Sequence, residues 1–252
     1  MIDNSWKLIG DSDPYYGVLT TENFKTKNLN ENSITEFYDT GYDHVKAVTN
    51  RLKSGLNLPS DQKFDNVLDF GCGTGRLVIP FAEQSKKVTG VDISEGMLKE
   101  AAVHIKKKGL TNISLLQIDD VVTYQFRDTY DLVHTYIVLQ HINENYGYEI
   151  INKLASIIKP GGFGIVHLLF DGNMSKKSRI VLTLKRKYKW FNQLTNIVNG
   201  RPINRPFMQM NYYNLNKVFK ILYSNNVGDI FTEMINHEGF LGVIMYFQKK
   251  TN

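Results

Sequence analysis

Three scarcities shape this sequence. It has one cysteine, Cys72, among 252 residues, which excludes a disulfide framework and a cysteine-based zinc site. It has no apolar run of the roughly 18 residues that a membrane-crossing helix needs. Its opening stretch, MIDNSWKLIGDSDPYYG, also lacks the charged-then-apolar pattern of a leader, so a soluble, cytoplasmic protein is expected. The third scarcity is local: no Asp or Glu lies between Asp171 and Asp229. Those 57 positions hold eleven Lys and Arg. The rest of the chain has 19 basic and 25 acidic residues, so a −6 body carries a +11 segment and the net +5 averages the two. Such asymmetry points to a partner of opposite charge.

What is present fits a folded enzyme-sized domain. Hydrophobic residues make up 42% and aromatics 12%, enough for a full core. Residues 1–32 read as loop-rich. Phe37, Tyr38, Tyr42, Val45 and Val48 recur at helical spacing and predict a helix over 35–51. Strands and helices then alternate. Strands are expected at 66–70, 87–92, 113–118, 130–136 and 163–170, and helices at 75–84, 97–108 and 148–158, with Ser94 as an N-cap. This alternation means a parallel sheet covered on both faces, an α/β fold. After Asp171 it stops. A basic helical stretch over 175–199 precedes a Pro-marked loop and a helix over 211–225. Two strands split by Glu238-Gly239 follow and read as a hairpin, which completes a mixed seven-stranded sheet.

The stretch VLDFGCGTGR at 67–76 places Gly71, Gly73 and Gly75 where a strand turns into a helix. A ligand can approach the backbone closely there, beside a helix N-terminus. A dinucleotide fingerprint would want a small residue at Arg76, and Asp69 would repel a pyrophosphate. Asp69 suits an ammonium group instead. Asp92, ending the second strand, suits ribose hydroxyls, and Asp119 or Asp120, after the third, suits an exocyclic amine. Amino acid, ribose and adenine together describe S-adenosylmethionine. Cys72 reads as a small buried side chain under the loop.

On these residues, with Val91-Asp-Ile-Ser94, DLVHTYIVLQHI at 131–142 and Lys159-Pro-Gly-Gly162, the chain resembles the class I S-adenosylmethionine-dependent methyltransferases. The resemblance implies a Rossmann-like sheet in the order 3-2-1-4-5-7-6 with strand 7 antiparallel. It implies an N-terminal helical cap (1–60), a cofactor core (61–171), a basic lid between strands 5 and 6 (172–211), and a C-terminal helix and hairpin (212–252) in one domain. It also implies that Asp69, Gly71, Cys72, Gly73, Arg76, Asp92, Ile93, Met97, Asp119, Asp120 and Tyr136 surround the cofactor. S-adenosylhomocysteine would be the product.

For the acceptor, Thr135-Tyr-Ile-Val138 lacks the proline pair common in enzymes that methylate nucleobase or glutamine nitrogens. An oxygen acceptor needs a base. His141, five residues past Tyr136, is the candidate, with Asp171 second. Asp171 and Asn173 alone make a weak Mg²⁺ site, so a metal-free reaction is expected. The basic segment reads as a lure for a small anionic acceptor, with Arg201 and Arg205 as direct contacts. RNA and a membrane surface are the competing partners. No nucleic acid and no stable membrane insertion are expected.

The chain further resembles small bacterial methyltransferases associated with capsular and surface-polysaccharide biosynthesis. That likeness rests on Asp13-Pro-Tyr-Tyr-Gly17, Phe37-Tyr-Asp-Thr-Gly41, the DFGCG form of the loop and Val138-Leu-Gln-His-Ile142. It implies O-methylation of a nucleotide-linked or phosphorylated sugar, with a phosphoramidate or another non-sugar anionic acceptor as the alternative. It also implies that Tyr15, Tyr16 and Tyr38 cover the cofactor or acceptor.

Overall fold

The computed structural model describes residues 5–127, 129–172, 181, 184–185, 188–198, 203, 208–237 and 239–251. Seven strands form one sheet in the order β3-β2-β1-β4-β5-β7-β6. They are β1 (Asn66–Phe70), β2 (Lys87–Asp92), β3 (Ile113–Gln117), β4 (Tyr130–Thr135), β5 (Ile158–Gly172), β6 (Val227–His237) and β7 (Phe240–Lys249). The first five run parallel, and β7 pairs antiparallel with both β5 and β6. The expected α/β fold and strand order are both present.

Both faces of the central strands are buried, which is why β1 and β4 are buried along nearly their whole length instead of alternating. On one face Leu68, Val133 and Val166 pack with Ile150, Ile151 and Leu154 of α6 (Glu144–Ser156) and Val218 and Leu222 of α8 (Leu215–Ser224). On the other, Val67, Leu132 and Ile165 meet Val45, Val48 and Leu52 of α3 (Glu31–Gly55). Val78 and Phe81 of the short α4 (Val78–Ala82) and Leu98 of α5 (Glu95–Lys107) close that face. Successive side chains of a strand therefore serve opposite layers.

Helix starts were read late because caps, not apolar spacing, set them. Asn30 and Ser33 form a reciprocal capping box, with Ser33 N–H donating to Asn30 Oδ1 at 3.0 Å, so α3 begins four residues before Thr35. Asn143 caps α6 by accepting from the Asn145 N–H at 3.1 Å and moves its start to Glu144. Ser94 accepts from the Met97 N–H at 3.3 Å and caps α5. The expected loop-rich N-terminus instead holds α1 (Ser5–Ser12) and α2 (Pro14–Val18). In the basic segment, α7 (Lys189–Val198) is the described part of the expected helix over 175–199, and it leaves Trp190, Leu194 and Val198 exposed. Among the described residues no helix is long and apolar enough to cross a membrane.

The order reverses between β1 and β4, so a crevice opens at the C-terminal ends of these strands. α3 lies against it through Gly41. A Cβ on Gly41 would sit 2.1 Å from the carbonyl oxygen of Arg76, so the glycine brings the helix onto the glycine loop. Helix propensity alone predicts that Gly41→Ala stabilises the protein by about 1 kcal/mol. The contact reverses the sign: we expect a loss of about 1–3 kcal/mol, a fall of several degrees in Tm by scanning calorimetry.

Candidate active site

The loop after β1 turns on three residues with positive φ, Gly71 (76°), Gly73 (52°) and Gly75 (81°), a region that penalises any side chain. The turn leaves the backbone bare beside a cavity of about 970 Å³, open mouth included. Asp69, Gly71, Cys72, Gly73, Arg76, Asp92, Ile93, Met97, Tyr136 and His141 all line it.

The carboxylates do different work. Asp92 accepts from the Gly73 N–H at 2.8 Å and the Ser94 N–H at 2.9 Å, tying β2 to the loop. Burial raises its pKa, and these backbone donors oppose the rise. Asp69 is 2% exposed, and its Oδ1 accepts from His134 Nδ1–H at 2.8 Å. Its Oδ2 is buried and has no hydrogen-bond partner. Arg76 donates to Thr40 Oγ1 at 3.2 Å, and burial lowers its pKa while nearby Asp69 opposes this. Cys72 is buried, and burial pushes its thiol up, so it stays protonated.

Asp119 and Asp120 stand apart from the lining. Asp119 pairs with Lys7 at 2.8 Å in solvent. Asp120 accepts from Tyr146 Oη at 2.5 Å and from Thr123 Oγ1 at 2.9 Å, and these bonds lower its pKa. Ile118 and Val121 face the cavity in their place. The three cap tyrosines are also elsewhere. Tyr15 donates to Glu100 at 3.2 Å and lies 2.7 Å from His104 Nε2. Tyr38 donates to the Thr74 carbonyl at 2.9 Å, and Tyr16 lies under Lys25. Asp171 is exposed and accepts from the Gly172 N–H at 2.7 Å, away from the lining. Arg201 and Arg205, like Asn173, lie outside the described residues.

At the other end of the cavity, His141 Nδ1–H donates to the Gln209 carbonyl at 2.8 Å. Its Nε2 then accepts from Gln140 Nε2 at 3.2 Å. Burial lowers its pKa to about 4, with the Gln209 carbonyl opposing, so the ring is neutral at pH 7.

Sequence reasoning passed over several members of this site. Trp6 lines the cavity, and its ring lies 4.7 Å from that of His141. A lone Trp in a polar segment was the available signal. Ile137 adopts φ 59°, which is strained for a β-branched residue, and donates its N–H to His167 Nδ1 at 3.2 Å. His134 is the direct partner of Asp69. The two stand opposite each other in the β1–β4 register, a pairing visible only after strand order is known.

Residues 67–162 match a family model described as a methyltransferase domain. These residues are a methyltransferase domain. The ubiquinone biosynthesis O-methyltransferase of Maricaulis maris is 31% identical over 127 residues, 50% of this chain and 46% of that relative. Its counterpart from Rickettsia felis is 30% identical over 122 residues, 48% and 47% of the two chains. The chain thus spans about half the length of the curated relatives it matches. Among solved structures, magnesium protoporphyrin IX methyltransferase from Synechocystis with bound S-adenosylmethionine aligns at TM-score 0.60 and 20% identity over 99% of both chains. The N-methyltransferase NodS from Bradyrhizobium japonicum with S-adenosylhomocysteine aligns at 0.58 and 15% identity, over 98% of this chain and 99% of that one. At these identities the likeness is one of fold.

Those two solved structures hold S-adenosylhomocysteine and S-adenosylmethionine. The cavity of this methyltransferase domain suits such a ligand, since the bare loop lies beside it and Asp69 and Asp92 line it. The relatives' names overturn two expectations, a sugar hydroxyl as acceptor and a capsular or surface-polysaccharide pathway.

Two outcomes follow from this geometry. Asp92→Asn keeps one acceptor but turns an NH₂ toward a backbone N–H. We expect S-adenosylmethionine affinity to fall at least about tenfold by calorimetry, matching the loss of a hydrogen bond to a charged group; a change within about twofold contradicts the role. Stability should also fall with pH. His141 at about 4, and His44 lowered to about 2 by burial, His134, Arg76 and His167, both lie below the ordinary 6.5 of an unfolded chain. The unfolded state binds more protons in that window, so stability is full above about pH 6.5 and is lost as pH falls below it. Urea midpoints at about pH 7.5 and 5.5 check this, and His141→Gln should flatten the slope.

Proposed function

We propose that the whole chain is an S-adenosylmethionine-dependent O-methyltransferase whose acceptor is a non-sugar small molecule with an acidic hydroxyl, an apolar body and an anionic group. The observation that carries this reading is the apolar and aromatic wall around the β4 tip, where Tyr136, Ile137 and Val138 line the cavity together with His141 and the Trp6 ring that meets it. When bound, S-adenosylmethionine supplies an electrophilic methyl group on a sulfonium. The chain's own contribution is mostly alignment, worth up to about 7–11 kcal/mol in favourable cases.

Val138 sets one boundary of the site. A Cβ on Gly71 would meet Val138 Cγ2 at 2.2 Å, so the β4 tip presses directly on the glycine loop. His141 has the geometry of a base with one usable lone pair, on Nε2. Its partner there is a neutral amide, which an acceptor hydroxyl can replace. A base with a pKa near 4 is weak, so it favours a phenol-like hydroxyl near pKa 10 over an alkyl alcohol. The names of the curated relatives support an oxygen acceptor outside the sugars. The acid-free basic segment supports the anionic group.

The test is a panel of phenols with and without a carboxylate or phosphate, incubated with S-adenosylmethionine and read by mass spectrometry for one added methyl. Anionic phenols should gain it, neutral ones more slowly, and added salt should raise KM for the acceptor more than for the cofactor. His141→Ala should keep cofactor affinity and lose about 10²-fold or more in kcat. Unchanged turnover removes His141 as base, and methylation of free sugars alone removes the acceptor class.

A further inference from the structure

Behind the cofactor cavity, on the face of the sheet that α3 covers, lies a buried polar chain that the methyl-transfer reading does not use. Asp69, His134 and His44 are consecutive members. His134 is fully buried and Asp69 nearly so. His134 Nδ1–H donates to Asp69 Oδ1 at 2.8 Å, which fixes the tautomer of His134 and leaves its Nε2 as an acceptor. His44 Nε2 lies 3.4 Å from that atom and is therefore the donor. His44 is held in turn by ring contact with Tyr136, centroids 4.1 Å apart, and it sits on α3 one turn beyond Gly41. Burial and the neighbouring His134, Arg76 and His167 keep it neutral, so the chain has one hydrogen-bond polarity, from the cap helix toward the carboxylate.

This polarity has a consequence for Asp69. One carboxylate oxygen, Oδ1, is bonded from behind, and the other, Oδ2, is buried without a partner in a residue that lines the cavity. A lone Asp at a strand tip can rotate about χ2 and offer either oxygen. Here rotation would break a charge-assisted bond to a buried ring, at a cost of the desolvated group. We propose that His134 and His44 are positioning residues that lock the Asp69 carboxylate with Oδ2 facing the cavity, as the seat of the cofactor's α-ammonium group. The inference rests on S-adenosylmethionine as the cofactor. It adds that affinity for the amino-acid half of the ligand depends on two histidines that touch no part of it, one contributed by the cap helix.

The test separates the two halves of the ligand. 5′-Methylthioadenosine shares the ribose and adenine of S-adenosylmethionine and lacks its ammonium and carboxylate. Both ligands are titrated by calorimetry into the full chain and into His134→Leu, His44→Phe and Asp69→Asn. The result expected is a split. His134→Leu and Asp69→Asn weaken S-adenosylmethionine about tenfold or more while 5′-methylthioadenosine stays within about twofold. His44→Phe, which keeps the ring against Tyr136, gives a smaller split in the same direction, about three- to tenfold. Equal loss for both ligands means the histidines only support the fold, and no loss in either histidine variant means Asp69 needs no lock; each overturns the proposal. Should His134→Leu fail to fold, His44→Phe decides alone. Failure of the unaltered chain to bind S-adenosylmethionine would defeat the cofactor reading itself, and is seen separately in the first titration.

Discussion

The placement of one buried carboxylate constrains much of this architecture. Asp69 lies nearly fully buried at the tip of β1, beside the glycine loop. A carboxylate there is tolerable only if it is paired. His134 provides the pairing from the neighbouring strand. The loop that follows must then turn sharply, so glycines occupy the positive-φ positions, and each neighbour approaches the bare backbone: Gly41 of α3 from one side, Val138 from another. Asp92 ties the loop to β2 through two backbone bonds. Each contact presupposes the others, so the cofactor cavity is part of the core and not an addition to its surface.

The N-terminal cap contributes differently from what its aromatic residues suggest. Tyr15 and Tyr38 are large enough to be buried, but their hydroxyls find partners in Glu100, His104 and the Thr74 carbonyl, and this draws them toward α5 and the back of the loop. Burial also raises both phenols far above their ordinary range, which leaves them protonated donors. The cap residues that do reach the cavity are Trp6, Gly17 and Val18. The cap therefore closes the ligand mostly with apolar surface.

That apolar closure bears on the acceptor. A neutral, weakly basic imidazole between an indole and a strand tip favours a substrate that brings its own acidity and its own apolar area. Ile137 adds to this. Its left-handed backbone is held from β5 by His167, and its neighbours Tyr136 and Val138 both line the cavity. His167 is thus part of what shapes the site.

Fold and cofactor were legible early because both rest on local rules. Strand–helix alternation, a hairpin signal and glycines at a strand-to-helix turn need few neighbours to be interpreted, and Asp69 and Asp92 follow from their place at strand ends. Asp119 and Asp120 illustrate the limit of that logic: position after β3 brought them near the edge, but Lys7, Thr123 and Tyr146 compete for their charge and the cavity kept Ile118 and Val121. The acceptor was misread because a short motif carries no information about the wall facing it. The sequence alone determined a seven-stranded cofactor-binding sheet with a basic segment after its fifth strand. Only the tertiary structure decided that His134 and His44 back Asp69, that Trp6 faces His141, and that His141 is a weak base. Those are contacts between residues 65 or more positions apart, and their geometry depends on strand register and burial that no local pattern encodes.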